Sequence, residues 1–369
     1  MSKIKVNSLE GVLASTPAIS IDNTSGTCTA NLTDFGRRNH VINGNFCISE
    51  RNGTTAYSGS DGNAGGYGGP DRWRVNQSGA TTSLQQVAFA MGEQRSGSQY
   101  YAKFTSSGND FSWMETRIED VNKFHSQQIT ISFEAKYVSA KPPGGFNVRL
   151  VQNFGSGGSP SNANTVYWGG ANDSESFVAT TSWQRFQWNL TTDSLSGKTL
   201  GTDPNTSYLA LIIGQGANTT NTAWELNIAN VQVEYGAVAS AFEQPRSKGD
   251  ELALCQRYFY QATRRGTTSE VTNAPIAPGF YLTASDYRAI IDFPVEMRAA
   301  PTLSSNDNTN SFYIHVNANA DVIDRLDSFY MTKRRAIVRN TAHTSGVQGY
   351  PGFLHQETGD SNLNFSAEL

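Results

Sequence analysis

Residues 127–138 read QQITISFEAKYV. Ile129, Ile131, Phe133 and Ala135 alternate with Thr130, Ser132, Glu134 and Lys136. Successive side chains of a strand point to opposite faces, so this stretch is a strand with one buried and one polar face. The pattern repeats outward along the chain at Phe146, Val148 and Leu150, and at Leu226, Ile228, Val231 and Val233 with one break. Further strands are read at RWRVNQ, TTSLQQVAF, QYYAKFTS, SWMETRI, SWQRFQWNLT and SYLALIIGQ, with turn residues between them. NHVINGNFCISERNG reads as strand, Asn43-Gly44 turn, strand. Eight or more alternating strands in about 200 residues predict a jelly-roll β-sandwich over residues 39–245. Only TRIEDVNKF, with Ile118, Val121 and Phe124 three apart, offers a helical turn there.

The flanks carry different signals. Residues 1–38 hold short alternating runs, KIKVNSLEG and AISIDNTSG, too short and polar to build a core alone. They are expected to borrow one from other copies of the chain, as a docking or trimerisation segment. RSKGD at 246–250 reads as a polar hinge, and ELALCQRYFY as a short helix entering a new strand. Alternation then resumes: Phe293, Val295 and Met297, then Phe312, Ile314 and Val316, and finally NLNFSAEL. Residues 246–369 are expected to form a smaller C-terminal β-sandwich module. The fold class predicted is all-β, in three parts.

The 369-residue chain is 37% hydrophobic and 16% charged, with 34 Gly. That balance suits a turn-rich β protein better than a helical enzyme. The net charge is -4: 18 basic and 19 acidic residues lie before Gly249, 10 and 13 after it. With no basic field, binding to nucleic acid is not expected. No apolar run reaches spanning length, so no membrane insertion is expected. Cys28, Cys47 and Cys255 are too scattered for a disulfide framework or zinc site and read as free thiols.

Several phrases occur together that resemble phage tail-fibre and related virion-fibre proteins. NHVINGNFCISERNG resembles their N-x-x-I-N-G-x-F-x-x-x-x-R-G opening, and GGPDRWRV their ADRW strand. VQNFGSGGSPS and TSWQRFQWNL fit the same modules. NVQVEYGAVASAFEQPRSKGDELALCQRYFY resembles their module junction, and FPVEMRAAPTL with NFSAEL their C-terminal module. The SKIKV head segment is similar to that of cyanophage fibres. The resemblance covers most of the chain from Asn39 onward. It implies a virion location, a homotrimer, and a middle module similar to jelly-roll carbohydrate-binding modules. The expected partners are other tail or adaptor proteins through residues 1–38 and host surface polysaccharide or lipopolysaccharide. The alternatives are an architectural head or adaptor fibre that binds only virion proteins, and a polysaccharide depolymerase.

No catalytic constellation stands out. The histidines at 40, 125, 315, 343 and 355 lack metal-ligand spacing, and GSGGSP lacks a P-loop lysine. Carboxylate pairs suited to glycoside hydrolysis would be Glu115 with Glu119, or Asp173 with Glu175. A calcium site like that of carbohydrate-binding jelly rolls lacks a second acid; only Glu234 stands in the last strand. No enzyme activity, metal or cofactor is therefore expected. Sugar rings stack their C–H faces on aromatics and need polar partners for their hydroxyls. The candidate carbohydrate-binding residues are Tyr67 in the Gly-rich loop, Trp113, Tyr167 and Trp168, and Tyr350 and Phe353 of QGYPGFLHQ, with His355 beside them. The competing account of each is burial or a contact between copies. Trp73, Trp183, Trp188 and Trp224 lie within strands and are expected in the core.

Overall fold

The structure is a computed structural model. It describes residues 8–9, 19–21, 28–30, 37–59, 66–108, 111–140, 145–160, 162–168, 177–215, 222–245, 247–263, 273–305, 310–317, 319–342, 344–357 and 361–369. Among the described residues the chain is all-β apart from one α-helix and two short 3-10 turns. In the head segment, Ser8–Leu9, Ile19–Ile21 and Cys28–Ala30 form a small antiparallel sheet. The docking or trimerisation role expected of that segment otherwise falls outside the described residues.

The middle of the chain is a sandwich of two six-stranded antiparallel sheets. One runs Gln184–Thr191, Gln128–Tyr137, Trp224–Tyr235, Tyr100–Ser106, Thr82–Ala88, Tyr57–Gly59. The other runs Asn162–Trp168, Asn147–Asn153, Tyr208–Gln215, Ser112–Glu119, Arg74–Gln77, Gly66–Tyr67. Ile129, Ile131, Phe133 and Ala135 enter the shared core with Val148, Leu150, Leu211 and Ile213. The break after Ile228 is a β-bulge: Ser132 pairs with Gln232 but Glu134 with Ala229. The extra residue, Asn230, takes φ 56° and donates to Glu134 Oε1 at 2.9 Å, so the ladder it interrupts is replaced by a side chain.

Local readings differ in four places. NHVINGNFCISERNG forms no strand but a series of turns, because its asparagines serve as bridges. Asn39 Nδ2 donates to Val231 O at 3.0 Å, while Asn43 donates to Ile48 O and Asp71 O at 2.7 and 2.8 Å. Gly44 is pressed on Val231, where a Cβ would come 2.1 Å from its carbonyl oxygen. TRIEDVNKF splits into the end of a strand, Ser112–Glu119, and a 3-10 turn, Val121–Phe124. Residues 293–301 are turns rather than a strand, although Phe293 and Met297 are buried as the alternation implied. Trp73 and Trp224 are core and Trp188 packs at its margin. Trp183 instead joins Phe89 and Tyr101, 5.4 and 5.6 Å away, under the Lys136 ammonium.

After the sandwich the helix Lys248–Gln256 begins, capped by the Ser247 side chain on Asp250 N. Beyond it, a three-stranded sheet (Phe259–Gln261, Leu363–Ser366, Thr302–Ser305) faces a seven-stranded one. The latter runs Asn319–Ile323, Phe312–Val316, Pro351–Gln356, Pro275–Thr283, Asp286–Asp292, Arg335–Asn340, Asp327–Met331. Phe312, Ile314, Leu354, Phe365 and Tyr287 fill the core between them.

The two β regions are bolted together by arginines. Arg37 forms a two-point pair with Glu251 of the helix, both contacts 2.8 Å. Arg51 and Arg72 both pair with Glu368, and their guanidiniums lie 3.6 and 3.4 Å over Phe259 and Tyr258. Arg298 donates to Ala367 O, Glu368 O and Asn205 O at 2.8, 2.9 and 2.6 Å. The segments INGNF, KGDELALCQRYFY and NFSAEL thus meet at one joint.

Candidate functional site

Two aromatic surfaces compete for a binding role. The first lies on the outer face of the second six-stranded sheet. Cross-strand pairing aligns Tyr67, Arg74, Glu115, Ile212, Arg149 and Tyr167 in one row. A neighbouring row holds Asn76, Trp113, Gly214 and Asn147. Gly214 makes room for the indole, since a Cβ there would sit 2.8 Å from Trp113 Cβ. This is the outline of a sugar platform, but its aromatic surfaces are already used. Phe111 stacks on Trp113 at 4.2 Å and 15°, and the Arg149 guanidinium lies 4.4 Å from the indole centroid. Tyr67 sits between Arg51 and Arg74, 5.3 and 5.8 Å from its ring. Burial, and after it the Glu368 carboxylate, push its phenol pKa upward. Tyr167 is in register with Arg149, and Trp168 with the buried Val148; their side chains lie outside the described residues.

The second surface is on the outer face of the seven-stranded sheet. Phe312, Ile314 and Leu354 point into the core, which turns Tyr313, His315, Phe353 and His355 the other way. Phe353 lies opposite His315 on one side and Pro278 on the other. It is 59% exposed, and Tyr350 nearby is 41% exposed. Phe353, Pro351, Pro275 and Val316 line a depression of 590 Å³, with His315, His355 and Asn317 supplying its polar groups.

The imidazoles are held in place. His355 stacks on Tyr313 at 4.9 Å and 17°, and His315 meets His355 edge-on at 5.7 Å. His355 Nδ1 lies 3.1 Å from Asn273 O. A carbonyl can only accept, so Nδ1–H is the donor in this contact. Among the described residues His315 makes no hydrogen bond. Asn317, at φ 47°, closes the strand end beside them. The sequence pointed to Tyr350, Phe353 and His355 but missed His315 and Asn317. The signal was present: alternation that buries Phe312, Ile314 and Leu354 leaves Tyr313, His315 and Phe353 on the opposite face.

The carboxylates considered for hydrolysis are engaged elsewhere. Glu115 accepts from Arg117 Nε at 2.6 Å and Asn76 Nδ2 at 2.7 Å, and Glu119 pairs with Arg257 at 3.1 Å. Asp173 and Glu175 lie outside the described residues. Glu234 accepts from Ser240 N at 2.8 Å and pairs with Arg38 at 3.4 Å. Among the described residues, no three His, Cys, Asp or Glu side chains gather as a metal site. A further cavity of 390 Å³, between the segment 243–245 and the helix, is lined by Arg37 and Glu251, already paired with each other.

No family model matches the chain, and no curated protein does. Among solved structures, a family 11 carbohydrate-binding module from Clostridium thermocellum in complex with a β-1,3-1,4-mixed-linked tetrasaccharide overlaps 46% of this chain and 91% of its own. The identity is 14% and the TM-score 0.29. The CBM22-1 xylan-binding domain from Paenibacillus barcinonensis covers 51% and 99%, at 14% identity and TM-score 0.28. The all-β sandwich assignment rests on the sheet order and register above.

Proposed function

We propose that this chain is a phage virion-fibre subunit, a homotrimer that attaches the particle to host surface polysaccharide or lipopolysaccharide. Residues 1–38 dock it to other tail or adaptor proteins, and the two β-sandwich regions face outward. The observation that carries the reading is Phe353: an exposed aromatic over a depression whose polar groups are imidazoles and an amide, the composition that a sugar ring and its hydroxyls require. Attachment proceeds without turnover, consistent with Glu115 and Glu119 being tied to arginines. Weak sugar contacts repeated threefold on each fibre supply avidity that one site lacks.

Trimerisation draws support from the other half of the same sheet. Ile290 and Tyr330, 40% and 63% exposed, both pair with Ile337 to form an apolar strip. The strip gives copies of the chain an apolar face to meet on. The same strip would serve an architectural fibre that binds only other virion proteins.

Adsorption inhibition by the purified chain, paired with a glycan array, separates the two. An adhesin blocks adsorption and binds glycan, and Phe353→Ala loses both. Wild-type chain that binds no glycan and leaves adsorption untouched would overturn the attachment reading.

A further inference from the structure

We infer that the Phe353 depression selects neutral saccharides over those bearing carboxylate, sialate or phosphate; this deepens, and rests on, the glycan-attachment reading. Its floor is apolar, made by Phe353, Pro351 and Val316. Its polar groups are His315, His355 and Asn317. A neutral imidazole offers one donor and one acceptor, and an amide offers both. A hydroxyl is likewise donor and acceptor at once, so these groups match sugar hydroxyls in either direction. His355 commits Nδ1–H to Asn273 O, so the tautomer that makes this bond has its acceptor at Nε2. An acceptor favours a hydroxyl and opposes an anionic oxygen, which has nothing to donate.

Anionic sugars call for the opposite equipment. Carboxylates and phosphates are held by charge-assisted donors, above all the arginine fork. The arginines of this sheet lie towards its other half. Arg288 is two strands from Phe353 and is committed to Asp286 at 2.8 Å, with its guanidinium 3.9 Å over Phe329. The charge that reaches the aromatic group is negative. After burial, the Glu357 carboxylate is the cause that raises the Tyr313 phenol pKa, and Tyr313 stacks on His355. Among the described residues no arginine or lysine lines the depression to offset the approach of an acidic sugar to this carboxylate.

The test uses the full chain and matched probes at pH 7.5 and 0.15 M salt: lactose-terminated against sialyllactose-terminated arrays, and neutral glucan against polygalacturonate. Wild type and Phe353→Ala are compared, with circular dichroism and thermal melts confirming that the variant folds. The expected result is binding to at least one neutral probe, about tenfold or more tighter than to its acidic counterpart, and reduced about tenfold or more in Phe353→Ala. Phe353-dependent binding that is equal or stronger for the acidic probes would overturn the selectivity while leaving the attachment reading intact. Absence of Phe353-dependent binding to either class would overturn the selectivity and the placing of the site at Phe353; the attachment reading falls only if wild type binds no glycan and leaves adsorption untouched.

Discussion

Arg72 and Glu368, 296 residues apart in sequence, form an ion pair that is 1% and 6% exposed. Glu368 also holds Arg51 at 2.7 Å, so one carboxylate bridges two guanidiniums, each flattened on an aromatic ring of the 258–259 segment. Removing one partner of a buried pair leaves a charge with neither solvent nor counter-ion. Glu368→Ala is therefore expected to destabilise the protein by about 3–5 kcal/mol. The loss should appear as a lower melting temperature and as earlier unfolding of the distal β region. Glu368→Gln keeps the acceptor and should cost less. A melt unchanged by Glu368→Ala would mean that the joint does not couple the two regions.

Asp71 lies at the same joint and makes folding pH-sensitive. It is 1% exposed, and burial raises its pKa to about 7 despite the opposing pull of Arg51. With the folded value above the unfolded one, near 3.8, the native state binds the extra proton between the two. Stability therefore falls as pH rises from about 4 to about 7, and the full cost persists above 7. Asp71 Oδ2 accepts from Glu50 N at 3.2 Å and Oδ1 from Arg51 N at 3.4 Å; Asp71→Asn removes the charge and keeps one of these two acceptors. The variant should be more stable than wild type at pH 8, by an amount of order 2–4 kcal/mol, and nearly equal to it at pH 4. Denaturant titrations at the two pH values check this; a gain at pH 4 alone would reverse the sign.

What the sequence disclosed followed the range of the forces involved. Strand faces were legible because burial imposes period 2, and even the interruption after Ile228 registered the bulge at Asn230. The turns of 39–53 were misread as strands because Asn39 and Asn43 bond to partners that local pattern does not reveal, Val231 and Asp71 among them. The arginine joint was invisible for the same reason: Arg37, Arg51 and Arg72 look like surface charges until residues 214 to 317 positions away are brought to them. The aromatic candidates shared a composition, and only the packing separates Trp113, covered by Phe111 and Arg149, from Phe353, which is open.

The apolar strip makes a prediction about assembly. Ile290 and Ile337 are cross-strand partners on the outer face, with Tyr330 beyond Ile337. If copies meet there, Ile290→Arg places a charge in the interface and should convert the trimer to monomer in sedimentation velocity. The fold should survive, because Ile290 is 40% exposed while its neighbour Ile291 supplies the core contact. A monomeric wild type would remove the trimer; a trimeric Ile290→Arg would move the interface elsewhere.

Trp113 and Phe353 should respond oppositely to truncation. Trp113 is held between Phe111 at 4.2 Å and Arg149 at 4.4 Å, so its indole contributes packing and a cation–π contact. Trp113→Ala removes the indole that lies between Phe111 and Arg149, at a cost of about 1–3 kcal/mol. Glycan binding measured well below the melting temperature should remain within about twofold of wild type, a change of less than half a kcal/mol. Phe353 packs little of its ring, so Phe353→Ala should shift stability by less than about 1 kcal/mol while binding falls about tenfold. Binding lost in Trp113→Ala with stability intact would assign the sugar platform to the second six-stranded sheet, with Arg149 swinging aside to admit the ring.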